Sequence, residues 1–175
     1  MKIEIVNRQK RATPDRRRLR ALVRHLMASA SRLDPRARWK AVSAVLLDDA
    51  GIAAVNRDFL GRREPTDVIS FRYEPLPGEA DRCEGEVLVN VQRAIEEGPR
   101  AGRGGASREL ALYVAHGCDH LAGSGDETAA ARARMRRRER RWLRAAPGAA
   151  LVDGLLRAGG AHAPRRGPAR GQVRA

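Results

Sequence analysis

His116-Gly117-Cys118-Asp119-His120-Leu121-Ala122-Gly123-Ser124-Gly125-Asp126 is the stretch that decides how this chain of 175 residues is read. In a helix, residues four apart share a face, so His116 and His120 can present imidazole nitrogens to one ion. Gly123 stands where a helix commonly ends in a left-handed cap, and Ser124-Gly125 lets the chain curl back so that Asp126 supplies a third ligand. Three protein donors leave one position of a tetrahedral metal open to water, which is the catalytic form of a zinc site; structural zinc is closed by four. The segment predicts a helix carrying one Zn2+ per chain, held by His116, His120 and Asp126.

The chain has four histidines, and two of them fall here, followed by glycine and acid at the spacing His-x-x-x-His-x-x-Gly-x-x-(His or Asp) of a metzincin-like metal helix. One position departs from the peptidase pattern. There the first histidine is followed by a glutamate that acts as general base, and Gly117 has no side chain to do so. Glu127 and Asp119 are the nearby acids. Asp119 adjoins His120 on the helix and is expected to point elsewhere, which leaves Glu127 as the candidate proton acceptor. Leu110, Tyr113, Val114, Gly117 and Leu121 recur at helical spacing and place the helix in the core, with Ser107 as its expected N-cap.

Outward from this helix the pattern alternates between strands and helices. Residues 1–6 alternate as a strand, and Thr13-Pro14-Asp15 opens a helix to about Ser31 with Leu19, Leu22, Val23 and Leu26 on one face. Strands are expected over 39–47, 68–71 and 86–90, and helices over 52–60, closed by Gly61, and near 91–97. Residues 75–82 and 99–105 read as loops. A last helix from about Glu127 carries Met135 and Trp142 on its buried side. The sum is an α/β fold: a mixed, roughly four-stranded sheet surrounded by about five helices, in one domain spanning 1–156. Residues 157–175 are rich in Ala, Gly, Pro and Arg without an acid and are expected to form a disordered basic tail.

The formal net charge is +14, which suits a polyanionic partner. Only Lys2, Lys10 and Lys40 among the 35 basic residues are lysines, so part of the excess reflects an arginine- and alanine-rich composition. Location is more telling. Residues 132–144 hold eight arginines against the single acid Glu139, directly after the metal motif, and Arg136, Arg137 and Arg140 are the candidate contacts for such a polyanion. No run of roughly 18 apolar residues occurs and the N-terminus lacks an apolar signal core, so no membrane association and a cytoplasmic location are expected. Cys118 is read as a small buried side chain rather than a ligand, and no Cys83–Cys118 disulfide is expected.

Asn56-Arg-Asp-Phe-Leu-Gly61, running into Pro65-Thr66-Asp67-Val68-Ile69-Ser70-Phe71 and then Gly85-Glu86-Val87, joins the metal motif in a pattern that resembles the YbeY family of bacterial single-strand endoribonucleases, also described as ribosomal RNA maturation factors. The resemblance covers roughly residues 1–145. It implies a zinc-dependent hydrolase of single-stranded RNA acting in ribosomal RNA maturation and ribosome quality control, with ribosomal RNA and the small subunit as partners. His116 and His120 carry over as metal ligands, and Asp126 stands where the family usually has histidine. Many members have arginine at the position of Leu60; Arg62 or Arg63 could supply a phosphate-binding guanidinium instead, and Arg62 is carried forward as a catalytic candidate. Two rival readings are a metallohydrolase of another substrate and a non-catalytic ribosome-associated RNA-binding protein with a weakened site.

Overall fold

Four short segments rich in apolar residues pair into a mixed sheet, the two central ones buried along four consecutive residues at their C-terminal ends. In a computed structural model that describes residues 1–75, 82–101, 105–145 and 151–158, β1 (Lys2–Asn7), β3 (Trp39–Leu47) and β5 (Cys83–Asn90) run parallel. β4 (Val68–Tyr73) joins β5 antiparallel and forms an edge, giving the order β1-β3-β5-β4. β4 and β5 both extend beyond the segments expected from sequence. Their added residues, Arg72 and Tyr73 opposite Gly85 and Glu84, continue the same ladder.

Five α-helices accompany the sheet among the described residues: α1 (Arg16–Ala30), α2 (Asp49–Leu60), α3 (Val91–Glu97), α4 (Gly105–Leu121) and α5 (Ala129–Ala145). Side-chain oxygens satisfy the first free N–H groups of three of them. Asp15 accepts from Arg18 N at 3.0 Å, Asp48 from Gly51 N at 3.0 Å and Asn90 from Arg93 N at 3.1 Å. α5 begins two residues later than expected, with Thr128 Oγ1 accepting from Ala131 N at 3.1 Å. No helix among the described residues is long and apolar enough to cross a membrane.

The sheet's two faces are covered unequally. On one, Ile3, Ile5, Val42, Ala44, Val87 and Val89 meet Leu19, Leu22 and Leu26 of α1, Leu110, Val114 and Leu121 of α4, and Trp142 of α5. Each leucine taken fully out of water stabilises the fold by about 1.5–3 kcal/mol. On the other face Val45, Leu47, Ile69 and Leu88 form a smaller cluster with Ile52 of α2. Cys83 and Cys118 are both buried and free, and burial pushes the Cys118 thiol up to about 12. His25 is half-buried, its Nε2 3.0 Å from the Trp142 carbonyl, a structural role.

Two short segments escaped the sequence reading. β2 (Ala12–Pro14) pairs antiparallel with β6 (Leu156–Ala158), so Arg157 and Ala158, the first residues of the expected tail, belong to a strand. The rest of that tail lies outside the described residues. Ser107 is not an N-cap, because α4 begins at Gly105. Its buried hydroxyl accepts from Leu156 N at 3.1 Å and lies 3.5 Å from the Leu156 carbonyl, holding β6 against α4.

Candidate metal centre

α4 packs so closely on the sheet that Gly117 has no room for a side chain. A Cβ there would overlap Val87 Cγ1 and sit 3.0 Å from Val68 Cγ2 and 3.1 Å from Ser70 Oγ. Ser70 Oγ donates to the Gly117 carbonyl at 3.2 Å, fixing the approach. The glycine after the first histidine is thus a packing requirement, and no glutamate could occupy the position without displacing the helix.

Beside that contact, His116 and His120 project from the adjoining face of α4, one turn apart. Their Nε2 atoms are 3.1 Å from each other, close to the ~3.3 Å edge of a tetrahedron of zinc–nitrogen bonds. α4 ends as Gly123 takes φ +85°, and the chain returns to bring Asp126 Oδ2 to 4.0 Å from His116 Nε2. Ligand atoms of His116, His120 and Asp126 all lie within 4.8 Å of one another, a group that could hold a metal ion.

Both rings are turned by hydrogen bonds from their other nitrogen. His116 Nδ1–H donates to Glu139 Oε1 at 2.7 Å, and His120 Nδ1–H donates to the Ser124 carbonyl at 2.9 Å. In the neutral rings this leaves the Nε2 lone pairs facing each other, as metal-binding histidines require. Burial opposes the charged form of His116, but the hydrogen bond and charge of Glu139 outweigh it, so the ring holds its proton to a higher pH than an ordinary histidine.

The neighbour of Glu139 fastens the same loop. Arg138 donates to both oxygens of fully buried Asp119, at 3.0 and 2.6 Å, and to Ser124 Oγ at 2.7 Å. A buried carboxylate without its cation would be costly, so this bidentate pair locks α5 to α4 beside the ligands. Arg132 adds a bond to the Asp126 carbonyl at 2.8 Å.

Two clefts meet at the histidines. One, of about 400 Å³, is lined by His116, Asp126, Tyr113, Arg132, Arg136 and Arg140 among others. The other, of about 390 Å³, is lined by His120, Ser70, Thr66, Asn56, Leu60 and Arg62. Asn56 is buried at the C-terminal end of α2 and donates to the Glu64 carbonyl at 2.7 Å, shaping the loop that presents Arg62. Leu60 is 51% exposed at this cleft.

The residues expected from sequence divide accordingly. His116, His120 and Asp126 come together; Arg62 reaches the second cleft, and Arg136 and Arg140 the first. Arg63 and Arg137 are exposed and line neither of these clefts. Glu127 lines neither as well, its carboxylate lying against Gly125. Asp119, the other acid considered, is wholly engaged by Arg138. Glu139 and Arg138 were missed as parts of the site. The available signal was an acid spaced four from Met135 and three from Trp142, hence on the buried side of α5, where a carboxylate needs a partner.

A model of the family described as Endoribonuclease YbeY matches residues 4–146. The chain belongs to that family. The endoribonuclease YbeY of Rhodopirellula baltica is 42% identical over 99 residues, 56% of this chain and half the length of that relative. The YbeY of Geobacter sulfurreducens is 35% identical over 133 residues, 73% of this chain and 82% of the relative. That of Chlorobium phaeobacteroides is 33% identical over 147 residues, 84% and 99% of the two chains. In fold, the chain is similar to a solution structure of TM1509 from Thermotoga maritima, with a TM-score of 0.50 at 22% identity over 81% of this chain and 86% of that one.

Proposed function

We propose that this YbeY-family chain is a zinc-dependent endoribonuclease that cuts single-stranded RNA in the cytoplasm, during maturation and quality control of ribosomal RNA on the small subunit. The observation that carries this reading is the convergence of two Nε2 atoms and a carboxylate, each histidine turned by its own Nδ1 bond, where two arginine-bearing clefts join. Two imidazole nitrogens and one carboxylate oxygen are ordinary zinc donors, and as three protein ligands they suit a catalytic ion. Zinc bound there would supply a Lewis acid for a phosphoryl oxygen and an acidified water.

The chain's own groups do the rest. Arg136 and Arg140 on one side and Arg62 on the other are placed to hold phosphates flanking the scissile bond and to offset charge gathering on it. Glu139 keeps His116 in its ligand tautomer, and Arg138 keeps the Ser124–Asp126 turn in place. A path running from one cleft through the centre to the other suits an unstacked strand better than a stiff A-form duplex.

The test is cleavage of one RNA sequence presented as a single strand and as a duplex, with chelator and after zinc is restored. Cutting of the single strand alone, lost with chelator and regained with zinc, is expected. Equal rates on both forms, or activity indifferent to chelator, would contradict the proposal.

A further inference from the structure

The chain has two phenylalanines, two tyrosines and two tryptophans, and both phenylalanines and Tyr73 gather on the sheet face that α2 leaves partly uncovered. Ring centroids of Phe59 and Phe71 are 5.3 Å apart, and those of Phe71 and Tyr73 are 6.4 Å apart with planes inclined by 29°. Phe59 is 70% exposed and Tyr73 52%. The rings line a groove of about 510 Å³, with Val55 and Leu88 also in its walls. Exposing so large a share of a small aromatic complement is unfavourable unless something uses it.

Position says what. Phe59 directly precedes Leu60, and Leu60 lines the second cleft together with Arg62 and His120. The aromatic groove therefore neighbours that cleft, with Phe59 one residue from its Leu60 and Phe71 two residues along β4 from its Ile69. We infer that Phe59, Phe71 and Tyr73 form a platform on which bases of the single-stranded RNA substrate stack after it passes Arg62. This rests on the function proposed above and extends the RNA path beyond the two clefts.

The chemistry of the groove fits bases better than phosphates. Arg8 is the one basic residue that lines it, against Asp48 and Glu86, with Tyr73 Oη 3.5 Å from Glu86 Oε2. Anionic phosphates would be repelled by those carboxylates, whereas the π-face of a neutral base is not. Phosphates then follow the arginines while bases turn inward to the rings. Stacking of this kind is tolerant of sequence, because every base has a π-face.

The experiment compares KM and kcat for two single-stranded RNA substrates, one of about four nucleotides and one of about twelve, spanning the range of sites on such proteins. In the Phe59→Leu/Tyr73→Leu variant, which keeps apolar area and removes rings, KM for the longer RNA should rise about tenfold with kcat unchanged. KM for the shorter RNA should stay as in the unaltered protein, and Phe59→Trp should match or better it on the longer RNA. Unchanged KM for the longer RNA in the leucine variant, with cleavage intact, would overturn the platform, and so would a KM raised by Phe59→Ser but not by Phe59→Leu, which would mean that apolar area and not a ring is what the site uses. Failure of the unaltered protein to cut either RNA would instead overturn the endonuclease reading itself.

Discussion

Two helices face the sheet from opposite sides, and each has a glycine on or near the contact. In α4, Gly117 lies so close to β4 and β5 that a single added carbon collides with Val87. In α2, Gly51 has its nearest neighbours, Leu47 Cδ2 and Asp48 Oδ1, at 3.2 and 3.3 Å from such a carbon. The first helix is wedged between the sheet and α5, and its outer side carries ligands that must hold their relative position. The second borders an open groove and carries no such group. Close packing has been spent where geometry serves chemistry, which is how a site held on rigid elements keeps its precision.

Gly117→Ala should break the contrast most severely. Overpacking at a closed helix–sheet contact costs about 1–3 kcal/mol, and the shift of α4 needed to relieve it would part His116 from Glu139. The corresponding Gly51→Ala gains helix propensity of roughly 1 kcal/mol, offset by the tight contact with Leu47, and should leave stability nearly unchanged. Chemical denaturation of the two variants checks this directly. Equal losses would mean that the two faces are packed alike.

Glu139→Gln tests the rigid side with no change of volume. The amide retains a hydrogen bond to His116 but loses the charge that fixes its tautomer, so metal affinity should fall about 10- to 100-fold with little change in melting temperature. Metal titration with a competing chelator reads it. Affinity equal to that of the unaltered protein would reduce Glu139 to a core acid with a convenient partner.

The smallest effects divide α5 by the same criterion. Arg136 and Arg140 border the first cleft and Arg137 does not. Replacing the first two by Gln should lower the slope of log affinity for single-stranded RNA against log salt by about 1.4, from roughly 0.7 per phosphate contact. Arg137→Gln should leave the slope where it is. A similar change from all three would spread RNA over the whole arginine face.

Much of this was legible because the sheet's parallel strands and the amphipathic helices follow simple periods. The His116–Asp126 motif likewise needs only helical geometry and a glycine cap. β2 and β6 were invisible because three-residue strands have no period to detect and their partner lies more than a hundred residues away. Glu139 was hidden in a different way. Among eight arginines it reads as a charge on a solvated helix, and only the packing of Met135 and Trp142 turns it inward to His116. The arginines were recognised as a group, but which of them border the cleft depends on the helix's rotation against α4.

The central claim is that Asp126 completes a three-ligand site with His116 and His120. Metal content of the purified Asp126→Ala protein, measured beside Glu127→Ala and Asp126→His, tests it most directly. The account predicts loss of bound zinc with the fold retained in Asp126→Ala, and zinc kept in the other two. One zinc bound with undiminished affinity by Asp126→Ala would contradict it.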